Sequence, residues 1–228
     1  MLEAGCDLLI FDYIAGSSDF DMCKKIADFE QVMVFVSHSH ADHYQESIMK
    51  WAEWKANIQY ILSDDISDVP NHIQRHMVSK DEHLTVLGWE IQCFGSTDLG
   101  VSFDIQKNGR RFFHAGDLND WHWLAEESVE WTKTQAVEYR KIIKQIPKQP
   151  AMDVVFFPVD PRMQIDYYRG ARTFAREFQP YVFMPMHFGQ HFLPPKEFWT
   201  DMNGFTDVKP LDQMGQETRI VLNAQHGE

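Results

Sequence analysis

The sequence predicts an α+β fold in which two β-sheets pack against each other with helices outside them. Three observations carry this. Much of the chain before Pro150 is a succession of short apolar runs, rich in β-branched and aromatic residues and bounded by Gly, Asp or Asn, which is how strands read. Two of those runs are separated by Lys107-Asn108-Gly109-Arg110, whose Asn-Gly is a strong hairpin signal, so the middle of the chain is expected to be antiparallel. After Pro150 the apolar runs become continuous and alternate with a helical pattern, a strand-helix-strand unit.

In chain order, strands are expected at Leu8–Phe11, Val32–Ser37, Ile58–Leu62, Leu84–Phe94, Val101–Gln106 and Arg111–Ala115. Glu46–Lys55 places Ile48, Met49, Trp51, Ala52 and Trp54 at helical spacing, and Leu124–Ile146 is a run of good helix formers without Gly or Pro. Strands at Val154–Phe157 and Tyr181–Met184 flank a helix at Gly170–Phe178. A helix at Pro195–Met202 and a strand at Arg219–Asn223 complete the chain. No repeat, low-complexity tract or Gly/Ser-rich linker divides it, so residues 1–228 are expected to form one domain.

The 228 residues, 44% hydrophobic, can bury one substantial core. The apolar runs are strand-length, far short of the roughly 20 residues that cross a bilayer, so no membrane insertion is expected. Met1–Phe11 lacks the basic segment and apolar core of a secretory signal, and a cytoplasmic location is the default. Cys6, Cys23 and Cys93 show no C-x-x-C spacing and are expected to be reduced, packed thiols. A net charge of −13 repels polyanions, so nucleic acid is not expected as a partner. The tight basic pairs Arg110-Arg111 and Arg140-Lys141 are expected to be solvated surface charge.

Chemistry concentrates in Ser37–His43, S-H-S-H-A-D-H, directly after an apolar strand. In an extended segment His38 and His40 point the same way, and the following turn can bring Asp42 and His43 to a neighbouring point, giving two adjacent metal positions. Imidazole with carboxylate suits zinc, with manganese, iron or nickel as alternatives. In a shuffled chain with these 11 His and 20 Asp, H-x-H-x-D-H would arise roughly twice in a thousand. Clustered imidazoles on such a loop also have no packing rationale.

This segment resembles the signature of the metallo-β-lactamase superfamily, which implies a four-layer αββα sandwich. Phe112–Asn119, F-F-H-A-G-D-L-N, resembles the family's strand ending in G-D, which makes Asp117 the carboxylate bridging two metals. Phe183–Gly189, F-M-P-M-H-F-G, resembles its strand-end histidine, which makes His187 a ligand of the second metal. The resemblance runs from Leu8 to about Asn223.

Two departures stand out. Where the family commonly supplies a further first-site histidine, Gly95–Phe103 reads G-S-T-D-L-G-V-S-F: Ser96 takes that place and Asp98 is the only strong ligand nearby. Asp98 is thus either a substitute ligand or a residue that shapes the turn. The family also usually begins with a strand before the one ending near Asp12, and Met1–Ala4 leaves little room for it, so either that edge is shortened or the chain begins late.

Other residues have two readings each. His114 could orient a ligand or be a buried structural histidine. Trp121, His122 and Trp123 could wall a substrate pocket or pack at a helix start. His191 could point into the cleft or sit in an ordinary loop, and Asp12 could support the ligands from behind. Asp160 and Arg162 could be functional or an ion pair fixing a loop. His72 and His76 could share a helix face and are expected at the surface.

What the resemblance implies is hydrolysis: a water shared by one or two divalent ions attacks an ester, lactone or phosphodiester in a small-molecule substrate, with Asp117 between the metals and Asp42 orienting the nucleophile and protonating the leaving group. The chain looks most like bacterial metal-dependent hydrolases of unassigned substrate, and more distantly like the sugar-phosphate lactonase branch. The acidic balance disfavours the tRNA-processing branch. H-x-H in place of H-x-E, and the lack of a flavodoxin domain, disfavour the diiron oxygen-reductase branch. The alternative is a non-catalytic metal-binding or sensing protein whose first site has degraded, motivated by Ser96.

Overall fold

The computed structural model describes residues 1–15, 21–124, 126–187, 194, 196–209 and 216–222. The first sheet holds β1 (Leu2–Ala4), β2 (Asp7–Phe11), β3 (Gln31–Val36), β4 (Gln59–Ser63) and β5 (Arg75–Val78), side by side in that order. β1 is a short antiparallel edge, and the rest are parallel. Helices α1 (Met22–Ala27) and α2 (Trp51–Trp54), the latter preceded by a 3-10 turn at Glu46–Lys50, provide crossovers.

The second sheet runs β6 (His83–Val86), β7 (Trp89–Gly95), β8 (Val101–Lys107) and β9 (Arg110–His114) as an antiparallel meander. It continues in parallel through β10 (Val154–Pro158), β11 (Val182–Met186) and β12 (Asp207–Val208). Helix α3 (Val129–Ile143), capped by the Ser128 hydroxyl on Trp131 N–H, joins β9 to β10. α4 (Arg169–Phe178) joins β10 to β11, and α5 (Lys196–Met202) precedes β12.

The central strands read as unbroken apolar runs because both of their faces are buried. In β3, Val32, Val34 and Val36 face a layer with Ile26, Ile48 and Trp51, whereas Met33 and Phe35 face the other sheet. β10 repeats this, with Val154 turned to the first sheet and Val155 and Phe157 turned to Tyr139, Phe174 and Phe198. The period of two thus sorts side chains into three apolar interfaces, which makes four layers: helices, sheet, sheet, helices.

Several expectations need correction. Leu84–Phe94 is two strands, because Leu87 and Gly88 both take positive φ (51° and 79°) and form a tight hairpin turn. Arg75–Val78 is a strand, so His76 shares no helix face with His72. The helix expected from Glu46 begins as a 3-10 turn, and that from Leu124 starts at Val129. Arg219–Leu222 is not a strand; β12 is the edge instead, and Asn223 lies outside the described residues, as does Pro195. Arg111 is fully buried, with its guanidinium on Asp104 at 2.6 Å and on the carbonyls of Pro147 and Pro150, while Arg110 pairs with Asp153. Cys93 is packed, but Cys6 and Cys23 are exposed. Among the described residues no helix is long and apolar enough to cross a membrane.

Candidate metal centre

Strand ends from both sheets deliver the site. β3 ends at Val36, and Ser37–His43 turns over the rim; β9 ends at His114, and Gly116-Asp117 follows; β11 ends at Met186, and His187 follows. Two glycines allow the close approach this needs. A Cβ on Gly100 (φ +70°) would lie 1.9 Å from the Ser37 carbonyl oxygen, and one on Gly116 (φ +53°) would lie 2.7 Å from Ser37 Cβ. Asp12 and His187 themselves hold positive φ, 41° and 69°, a strain that places both side chains at the rim.

Among the described residues two groups of side chains that could hold a metal ion result. His38, His40, Asp98 and Asp117 offer donor atoms within 4.8 Å of one another, and so do Asp42, His43 and His187. In the first, His38 Nε2 and His40 Nδ1 are 3.0 Å apart, and Asp98 Oδ2 is 3.7 Å from His40 Nδ1. In the second, Asp42 Oδ2 lies 3.8 Å from both His43 Nε2 and His187 Nε2. Asp117 faces both: Oδ2 is 3.7 Å from His38 Nε2, while Oδ1 is 3.2 Å from His43 Nε2 and 3.5 Å from His187 Nε2.

The far sides of His38, His43 and His187 are fixed. His43 Nδ1 donates to Asp12 Oδ2 at 2.8 Å, and Asp12 also accepts Ser37 N–H and the Ser37 hydroxyl, both at 2.7 Å. His38 Nδ1 meets the Ser37 hydroxyl at 3.0 Å. His187 Nδ1 donates to Asp160 Oδ2 at 2.9 Å, and Asp65 Oδ2 accepts Ser39 N–H at 2.9 Å. These partners turn the free ring nitrogens inward, as metal-binding imidazoles require. The Thr97 hydroxyl donates to Asn119 O, and Trp121 Nε1 donates to Asp117 O, so the Asp117 loop is held from both sides.

His43 Nε2, Asp117 Oδ1 and His187 Nε2 are buried and converge, and among the described residues none of them has a hydrogen bond. Buried polar atoms left unpaired cost free energy, and a divalent cation is the partner this donor set fits. The electrostatics agree. Burial opposes charge on His43, yet the carboxylates of Asp117 and Asp12 outweigh it and push its pKa up to about 10. His187 is raised in the same way against burial by Asp160 and Asp117. A cation would take the place of these protons. Burial, with His43 beside it, holds His38 below the ordinary histidine range.

Of the remaining expected site residues, Ser96 accepts Asp98 N–H on its hydroxyl at 3.2 Å, so it shapes the turn that carries Asp98. His114 is buried, stacked on Phe11 at 4.8 Å, and accepts Gly116 N–H on Nδ1. Trp121 meets the His187 ring edge-on at 5.7 Å and stacks on Trp123, and His122 Nδ1 donates to Asp166 at 2.8 Å. His191 lies outside the described residues. The sequence reading missed Ser37, Asp65 and Thr97, whose only signal is a polar residue at or just past a strand end. Asp160 does form the expected ion pair with Arg162, and it supports His187 as well.

No family model matches the sequence, and no curated protein matches it either. Solved structures do resemble it. The metallo hydrolase Igni18 from the archaeon Ignicoccus hospitalis is 17% identical with a TM-score of 0.64, over 90% of this chain and 86% of that one. The metallo-β-lactamase fold protein YhfI from Bacillus subtilis is 12% identical with a TM-score of 0.55, over 82% and 76%. CmlA, a diiron β-hydroxylase from Streptomyces venezuelae, is 12% identical with a TM-score of 0.55, over 89% of this chain and 49% of that one.

Proposed function

We propose that this chain, which has the metallo-β-lactamase fold, is a metal-dependent hydrolase of a small-molecule ester, lactone or phosphodiester. The observation that carries the reading is the convergence of the unpaired His43 Nε2, Asp117 Oδ1 and His187 Nε2 beside a second group that shares Asp117. In this reading His38, His40, Asp98 and Asp117 hold one ion, and Asp42, His43, His187 and Asp117 hold the other.

Bound divalent ions supply Lewis acidity and make water acidic near neutral pH. The chain does the rest. Asp12 and Asp160 keep the protons of His43 and His187 on Nδ1, leaving each Nε2 as a donor. Asp42, 68% exposed at the mouth, takes up the proton of the attacking water on its carboxylate and returns it to the leaving group. Trp121 and Trp123 wall one side and keep bulk water from His187. Since Asp98 leaves the first group with four donors, catalysis is favoured over the non-catalytic reading.

A second reading of the metal has an observation behind it. Asp98 puts an oxygen where a third imidazole would suit zinc, and oxygen-rich sets with two histidines suit iron or manganese; CmlA, of similar fold, is a diiron protein. Elemental analysis separates the metals. Turnover of a panel of esters, lactones and phosphodiesters by the metal-loaded protein, lost in Asp117→Ala, tests the hydrolase. Two bound metals with no turnover on any class would leave the non-catalytic reading.

A further inference from the structure

We propose that Arg162 is the specificity-determining residue of this site and selects substrates that carry an oxyanion, a carboxylate or a phosphate, away from the bond that is cleaved; the inference rests on the hydrolase reading. Arg162 opens the segment between β10 and α4, two residues after Asp160. Its guanidinium uses one edge on Asp160, with Nε 3.0 Å from both carboxylate oxygens and Nη2 2.5 Å from Oδ2. Its Cζ lies over the Trp123 ring, 5.2 Å from the centroid.

Trp123 stacks on Trp121, Trp121 touches His187, and His187 Nδ1 donates to Asp160, so the contacts close into a ring that joins Arg162 to the second ligand group. The guanidinium is therefore fixed in orientation before any substrate arrives, which removes most of the ordering cost of a forked contact.

The remaining edge is what points to a ligand. Asp160 is 1% exposed but Arg162 is 65% exposed, so the pair is not an ion pair sealed into the core. Among the described residues Nη1 donates no hydrogen bond. Nη1 and the outer N–H of Nη2 form an end-on fork that matches two oxygens of a carboxylate or phosphate. The contacts through Asp160 and Trp123 put this guanidinium beside the second group, and the carboxylates of Asp42 and Asp117 also act on it through space. An arginine required only to hold Asp160 would not need its open end in solvent.

The test uses the metal-loaded protein, with metal content measured in every variant. The ratio of kcat/KM for 4-nitrophenyl hydrogen glutarate over the neutral 4-nitrophenyl pentanoate is compared in wild type, Arg162→Gln and Arg162→Lys. One charge-assisted forked contact predicts a fall in that ratio of about tenfold or more in Arg162→Gln, with partial recovery in Arg162→Lys. Equal losses for both esters, or a ratio unchanged by Arg162→Gln, would make Arg162 a support of Asp160 and His187 only and overturn the inference while the hydrolase stands. If neither ester is turned over, calorimetric titration with glutarate and with phenyl phosphate decides. Binding weakened about tenfold by Arg162→Gln supports the oxyanion site and tells carboxylate from phosphate, and binding unaffected by the substitution overturns it.

Discussion

Asp117 Oδ1 lies 3.2 Å from His43 Nε2, and both atoms are buried with no hydrogen bond among the described residues. The other Asp117 oxygen faces His38 at 3.7 Å, so one carboxylate closes two donor groups. Asp117→Ala is therefore expected to drop the metal content below one per chain and to cut hydrolysis by more than about a hundredfold, read by elemental analysis and turnover together.

Among the described residues Asp98 is the only oxygen donor that the first group does not share. Asp98→Ala should lower the metal count from two to one, and Asp98→His should restore two while shifting preference toward zinc. Two ions retained in Asp98→Ala would make Asp98 a turn residue.

Asp12 stands behind His43 and ties it to Ser37. Asp12→Asn should weaken metal binding by about 10- to 100-fold without removing any ligand, and Asp160→Asn should do the same through His187. Competition with a chelator of known affinity measures both. Unchanged affinity in either variant would mean that the ring orientation is set by packing alone.

His114 sets a pH dependence. It is buried against Phe11, and burial lowers its pKa to about 4. The unfolded chain takes up a proton near the ordinary histidine value of about 6.5, whereas the folded one resists until about 4. The His114 contribution to stability is therefore full above about 6.5 and falls as pH drops through that window, by about 3 kcal/mol in all. Urea unfolding of chelator-treated protein should show this loss between about pH 6.5 and pH 4, and His114→Asn should flatten it.

The fold was legible where one physical signal dominated. Buried strands such as Val32–Val36 and Val154–Phe157 announce themselves as apolar runs, and Asn108-Gly109 announces its hairpin. The Leu87-Gly88 turn was missed, because the leucine at positive φ sits in an apolar run and Gly88 was the single turn residue in it. Arg111 misled for a related reason: its burial depends on Asp104 from a neighbouring strand and on carbonyls near α3, contacts that no local pattern encodes. The donor atoms were legible because H-x-H-x-D-H is local. The supports Ser37, Asp65 and Thr97 were not, since each reaches the site only through the packing of strand ends.

The central claim is that this chain builds a two-ion centre on a shared Asp117. The most direct measurement is metal content per chain in protein purified without chelators, for wild type and Asp117→Ala. The account predicts two ions in the wild type and fewer than one in the variant. No ion in the wild type after equilibration with zinc, iron and manganese would contradict it.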